Sequence, residues 1–469
     1  MSVRGLKLKF NQKREEMGKF MKSIKMAMIG LAGIFVACET QELDTIEEQV
    51  NLSIEQDTAY TDAELSLILE EELKYLEEEK SGRIVDVSGM DIVKENPKKV
   101  YVHYMPWFQS MEYDGYWGQH WTMTNQNPEN IDENGRRQIA SYYYPLIGPY
   151  SSSDPDLQEY HFLLMKLAGV DGLIFDWYGS QDLYDYSIIK KSTETFIEGM
   201  EDLGLTFSIM YEDRVAVQAA ESGIASSAIE AAQEDFLYID RQYFSSPEYL
   251  YHDGKPLLFV FGPHHLVTEA EWNQVFTVLP PTNLPNFLTL WAASDRVGPN
   301  SSGEFLWVDK DHLLAHEYYY SVYPQVDAIT VGGAYPGFES FYVEGGWTDG
   351  INEWTIDADE GHTFVETLNY THHEVADFIQ IITWNDFGEG TMIEPTEEFG
   401  FMYLQLLQEY TGVSFTPDDL QVVLDLYRAR KSYKHDPWVQ SLLNRSYKNL
   451  KRLKIRRARA ILEAIKRFY

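Results

Sequence analysis

The sequence predicts an α/β fold: a (β/α)8 TIM barrel with an N-terminal helical extension and C-terminal basic helices. Three observations predict it. Between residues 98 and 415, short apolar runs alternate with helix-like segments about eight times. The runs end in aromatic, acidic and histidine residues, as expected where loops at one face of a parallel barrel carry the chemistry. An open, doubly wound sheet is the alternative, and the glycine fingerprints that bind dinucleotides or phosphates on such sheets are absent.

The first elements concern export. Lys22 and Lys25 precede an apolar stretch over residues 26–36, followed by Ala37 and the single cysteine, Cys38. A basic region, a short apolar core and a small residue before the cut form a secretory signal over residues 1–37, with Met21 a second candidate start. The Phe35-Val36-Ala37-Cys38 ending resembles a bacterial lipobox, which implies lipidation of Cys38 and anchoring in the cell envelope, at the outer membrane or cell surface. An uncleaved anchor is the alternative, although the run is short for a membrane span. With one cysteine, neither a disulfide framework nor a cysteine-based zinc site is possible. Residues 38–60 are acidic and read as a tether. Within the extension at 61–97, Leu65, Leu69, Leu73 and Leu76 make an apolar stripe that predicts a helix over 63–80, bracing the outside of the domain with a solvated glutamate face.

The barrel follows. Its strands are expected at 100–104, 170–175, 205–211, 257–261, 287–291, 305–308, 328–331 and 378–383, with helices at 156–168, 184–203, 224–243 and 269–278 between several of them. The first strand runs out into His103-Tyr104-Met105-Pro106-Trp107, and the second into Asp176-Trp177-Tyr178. The third leads to Tyr211-Glu212, and the last to Trp384-Asn385-Asp386 with Glu389 beyond. Only the sixth end is poorly defined. Tyr104, Trp107, Asp176, Trp177, Tyr178, Tyr211, Glu212, Trp384 and Asn385 are candidate ligand contacts.

The last strand carries the sharpest candidates. Asp386 and Glu389 sit three residues apart, and Gly388 and Gly390 bracket Glu389 so that the chain can turn there. Two carboxyls at a strand mouth suit general acid/base work; alternatively Asn385 and Asp386 cap a following helix. His103, His120, His264 and His265 raise a metal centre as another possibility, but no metal-binding histidine spacing is present, and neither a metal nor a cofactor is expected. A serine nucleophile lacks its Gly-x-Ser-x-Gly elbow.

Residues 382–395 resemble two related glycosidase families. Thr383-Trp-Asn-Asp-Phe-Gly-Glu389 is similar to a signature of glycoside hydrolase family 71, the α-1,3-glucanases, and Glu389-Gly-Thr-Met-Ile-Glu394 to a stretch of family 99, the endo-α-mannosidases. The first-strand segment 101–108 and Asp171-Gly-Leu-Ile-Phe-Asp-Trp-Tyr178 are similar to strand motifs of the same group. The resemblance covers about residues 98–411 and implies a cofactor-free (β/α)8 barrel that hydrolyses an α-linked polysaccharide, α-mannan or α-1,3-glucan. It also implies that Glu389 is the general acid and Asp386 its partner carboxylate. Family 99 has Glu where this chain has Asp386, so a base on the sugar's 2-hydroxyl and a base on water both stay open. A non-catalytic surface glycan-binding protein is the further alternative.

Composition fits a sugar ligand. The net charge is −36, which excludes nucleic acid as a partner. Aromatic residues make up 14%, including 11 Trp and 32 Tyr, and such flat amphipathic rings suit sugars. Residues 416–469 break the acidic trend with a run of Lys and Arg that predicts one or two amphipathic helices, folded back onto the acidic barrel, solvated, or touching a membrane surface. A monomer is expected.

Overall fold

The computed structural model describes residues 60–81, 89–322, 328–347, 354–371 and 376–469. The chain divides into two units, Met1–Tyr60 and Thr61–Tyr469. The expected signal at 1–37, Met21, Cys38 and all but the last residue of the tether lie outside the described residues.

Among the described residues of the second unit, eight parallel strands close into a barrel: β1 (Lys99–Tyr104), β2 (Gly172–Trp177), β3 (Thr206–Tyr211), β4 (Lys255–Val260), β5 (Asn286–Leu290), β6 (Ser301–Phe305), β7 (Ile329–Ala334) and β8 (Phe378–Ile381). Each pairs in parallel with the next, Tyr101 opposite Gly172 and Ile209 opposite Leu258 for example, and β8 returns to β1 with Val100 opposite Ile379. The ring therefore has no open edge, and the doubly wound alternative is excluded. The fold is the expected (β/α)8 barrel.

The sixth strand departs most from its expected place, lying at 301–305 rather than 305–308. Its sequence, Ser-Ser-Gly-Glu-Phe, has no apolar run. Packing imposes it instead: a Cβ on Gly303 would stand 1.9 Å from the Ile329 carbonyl oxygen, so only glycine lets β6 lie this close to β7.

Side chains alternate across each strand. Tyr101, Ile174, Met210, Phe259, Leu288, Phe305, Val331 and Phe378 point inward and fill the barrel, all buried. Their neighbours in sequence point outward against the surrounding helices. These include α2 (Pro155–Leu167), α3 (Tyr186–Gly199), α4 (Arg214–Glu221) and α5 (Ala228–Gln242). The helix expected over 224–243 is α5, started by Ser227, whose hydroxyl accepts the Glu230 N–H, with the short α4 before it and, after β8, α6 (Met402–Thr411).

The extension helix α1 (Asp62–Lys80) opens with a full capping box between Thr61 and Glu64. It does not brace the barrel wall. It packs on the last two of three C-terminal helices, α7 (Pro417–Ser432), α8 (Pro437–Lys451) and α9 (Ile455–Phe468). Nor is its glutamate face wholly solvated. Glu72 is 3% exposed and bonds Arg445 Nε and Arg457 Nε, each at 2.7 Å, while Glu79 holds Lys448 at 2.5 Å. Arg445 also lies 3.5 Å from the centre of the Tyr75 ring. On the other side Arg430 bridges from α7 to Glu159 on α2 at 2.9 and 3.0 Å. The basic tail is thus neutralised by acidic groups of both the extension and the barrel.

Candidate active site

Above the apolar filling, the next inward-pointing layer is polar. His103, Asp176, Glu212, Phe261, Trp307, Asp386 and Glu389 line a cavity of about 540 Å3 at the C-terminal mouth of the barrel, roofed by loop residues Trp107, His120, Tyr178, Arg214, Tyr342 and Trp347. Trp107 and His120 stack with ring centres 4.0 Å apart and planes 5° apart, and Trp347 meets His120 edge-on. These rings line the same cavity as the carboxyls.

The segment after β8 does not start a helix; it turns, and the capping alternative is gone. The Asp386 N–H is held by the Thr383 hydroxyl at 2.8 Å, and Asp386 Oδ1 in turn accepts the Glu389 N–H at 3.0 Å. Of the two bracketing glycines, Gly390 is the one in the left-handed region, at φ 65°, where a Cβ would also press on Tyr143 and the Glu339 carbonyl at 3.0 Å. Glu389 Oε1 accepts the Tyr342 hydroxyl at 3.1 Å.

Five carboxyls line this cavity, Asp176, Asp185, Glu212, Asp386 and Glu389, and Arg214 is the one lysine or arginine among the described residues that line it. Burial pushes Glu389 up to about 7, against the Tyr342 hydroxyl, which favours its anion. Burial likewise brings Glu212 to about 7, with Arg214, 3.3 Å away, pulling it down. Burial raises Asp176 well above the aspartate range, with Glu212 adding to it. Asp386 is raised by burial and by Glu389, but backbone N–H groups of Gly388 and Glu389 hold its anion. Two carboxyls this close do not both ionise. Both groups are therefore held above the usual carboxylate range, and the pair retains a proton near neutral pH.

Arg214 also donates to the Tyr178 hydroxyl at 2.6 Å and lies over the Tyr178 ring. Two polar atoms of the cavity wall have no protein partner: His103 Nδ1 and Trp107 Nε1, both buried. Burial holds the His103 imidazole neutral, down to about 3. Such orphans in a cavity are groups waiting for a ligand hydroxyl.

Of the eleven expected site residues in the barrel, the structure brings Asp386, Glu389, Trp107, Asp176, Tyr178 and Glu212 to the cavity. Tyr104, Trp177, Tyr211, Trp384 and Asn385 do not line it. The physical reason for the three strand residues is alternation. His103, Asp176 and Met210 face inward, so Tyr104, Trp177 and Tyr211 face out. Tyr104 bonds His161 at 2.9 Å, Trp177 packs against Tyr238 and Tyr243, and Tyr211 donates to Asp235 at 2.9 Å. Trp384 packs edge-on to His161. Asn385 clamps the end of β1 instead, accepting the Met105 N–H at 2.8 Å and donating to the Met105 carbonyl at 3.0 Å. Behind it, Tyr150 donates to the buried Glu394 at 2.6 Å. His264 and His265 do not reach the cavity either; their N–H groups, with that of Leu266, bind the Asp213 carboxylate. Trp307, Tyr342, Trp347 and Asp185 (3.5 Å from His120) were not singled out from sequence. Trp307 follows the strand without an apolar run, and the others sit in loops with no local pattern.

Residues 96–284 match the family model "Glycosyl hydrolase family 99". Over that stretch the chain resembles glycoside hydrolase family 99. A second model, a domain of unknown function (DUF5010), matches residues 309–422 and so contains Asp386 and Glu389. A glycoprotein endo-alpha-1,2-mannosidase-like protein of Danio rerio is 31% identical over 88 residues, 17% of this chain and 20% of its own length. The chain thus aligns with about a fifth of that curated relative. Among solved structures, the GH99 endo-alpha-mannosidase from Bacteroides thetaiotaomicron superposes with a TM-score of 0.51 at 18% identity, covering 69% of this chain and 98% of the other. At that identity the likeness concerns the fold.

Proposed function

We propose that this family 99-like barrel is an exported glycoside hydrolase that cleaves an α-linked polysaccharide of the α-mannan type within the chain. The observation that carries it is the Asp386–Glu389 pair: a buried and a half-buried carboxyl on one turn, lining one cavity with the stacked Trp107 and His120 rings. Glu389 protonates the departing glycosidic oxygen. Asp386 takes a proton from the nucleophile, either the sugar's own 2-hydroxyl or a water molecule. Trp107 and His120 offer a face to the apolar side of a sugar ring, and His103 Nδ1 and the Trp107 indole N–H pair with its hydroxyls. The cluster of five carboxyls disfavours anionic substrates.

The test is incubation of the purified protein with yeast α-mannan and with α-1,3-glucan. Release of manno-oligosaccharides of several lengths from the mannan is expected, and NMR of the first-formed anomer separates the two nucleophiles. No release from either polymer, with tight binding retained, would instead favour a glycan-binding protein. Export with a lipid on Cys38 belongs to the same proposal; palmitate label that persists in Cys38→Ala would refute the lipidation.

A further inference from the structure

A second cavity, of about 420 Å3, lies in the long connection between β1 and α2, walled by residues 130–144. We propose that it is a carbohydrate subsite remote from the scissile bond, holding a neutral segment of the same glycan that enters the active site. This rests on the proposed function.

The cavity has a built frame. Ile131 and Arg137 form an antiparallel bridge, and Asp132 Oδ1 accepts the N–H groups of Asn134 and Arg136, each at 2.9 Å. The Tyr144 hydroxyl accepts the Arg137 N–H at 3.1 Å. Its volume is in the range of small-molecule sites, about 300–1,000 Å3.

It also shares a wall with the catalytic turn. Tyr143 donates to Glu339 at 2.9 Å, and the Glu339 N–H binds the Glu389 carbonyl at 2.8 Å. On the open side, Tyr342 lines the active-site cavity, and the next residue, Phe341, meets the Tyr142 ring edge-on at 4.8 Å. Tyr142 belongs to the second cavity and is 41% exposed. The ring of Tyr142 in the second cavity thus touches the residue that precedes Tyr342 of the first.

The chemistry of the walls selects the occupant. Arg136 is spent on Glu397 and Glu398, at 2.6 and 3.0 Å, Asp132 on backbone N–H groups, and Arg137 on the Pro128 carbonyl at 2.9 Å and the face of the Trp117 ring. With these charges answered from within, the pocket has no strong call for a phosphate or another ion. What it presents is the exposed Tyr142 ring, the exposed Ile131 and the paired amides of Asn130 and Gln138. A ring for stacking beside amide donors and acceptors is the surface that recognises an uncharged polyol. An enzyme cutting within a chain gains by binding sugars far from the cut, since that energy can be spent at the reacting centre.

The experiment uses full-length Glu389→Gln protein, so that ligand is not consumed, and two probes: yeast α-mannan and a manno-tetraose released from it. Binding to each is measured by calorimetry for this parent and for versions carrying Tyr142→Ala or Gln138→Ala in addition. Both added substitutions are on exposed side chains, and equal melting temperatures check the fold. Expected is a loss of about 5- to 30-fold in affinity for the polymer with Tyr142→Ala, the effect of truncating an aromatic anchor. Binding of the tetraose stays unchanged. Equal polymer binding by parent and Tyr142→Ala, in a protein whose wild type cleaves mannan, overturns the subsite alone. A parent that binds neither probe, with a wild type that cleaves neither, overturns the subsite and the proposed function together.

Discussion

Replacing Tyr342 with Phe tests the assignment of the general acid to Glu389 more directly than removing the carboxyl does. The Tyr342 hydroxyl donates to Glu389 Oε1 at 3.1 Å and stabilises its anion, opposing the burial that brings the group up to about 7. A general acid works while protonated, so kcat/KM on mannan is expected to fall tenfold per unit above about pH 7, while the ionisation of Asp386 as base sets a separate acid limb. In Tyr342→Phe the anion loses a donor, and the Glu389 pKa rises further. A hydrogen bond to a charged group contributes about 1.5–3 kcal/mol, and about 1.4 kcal/mol equals one pH unit. Tyr342 is only partly buried and the protonated acid keeps some of the bond, so the lower end applies. The alkaline limb is expected to move up by about one unit, to near pH 8. Initial rates of reducing-end release across pH 5–9 measure it, and the limb's position is read separately from any loss in amplitude. A limb that stays in place, or moves to lower pH, would refute the assignment of the acid to Glu389.

Three further outcomes are expected. Glu389→Gln should lower kcat by about 10²–10⁴-fold while leaving mannan binding intact, and Asp386→Asn should also lower it, both measured at saturating substrate. His103→Phe should reduce kcat/KM by about 5- to 100-fold without lowering the melting temperature, because the buried nitrogen it removes has no partner to lose in the free protein. A drop in both would point to a structural role instead. Glu72→Ala should destabilise the fold by about 3 kcal/mol in urea unfolding, since it strands Arg445, 5% exposed, without a counter-charge. Glu72→Met with Arg445→Met should recover most of that loss.

The barrel was legible because seven of its strands are apolar runs flanked by turns, and burial selects such runs whatever their neighbours. β6 was not, since Ser301, Ser302 and Gly303 are a strand only because β5 and β7 need one between them. Glu389 and Asp386 could be found because their chemistry and their turn lie in one short stretch. Tyr104, Trp177 and Tyr211 show the limit of reading strand ends by residue type. The inward register of each strand tells them from His103, Asp176 and Met210, and an aromatic residue is equally at home on the outer face. Applying period-two alternation from Tyr101, the inward core residue of β1, would have favoured His103 over Tyr104. Nothing local marks Tyr342 or Trp347, which reach the site by the path of a long loop.

The seam between the extension and the tail has a consequence for how the protein is made. Glu72 and Arg445 are 373 positions apart, so on a ribosome the acidic helix emerges long before its counter-ions exist. Until then Glu71, Glu72 and Glu79 remain hydrated, and the helix has little to dock on. The barrel can close first, and the two ends are then drawn together as the final arginines appear. The seam can therefore fasten only once the last helices are present, which makes the two ends of this unit one charge-paired closure.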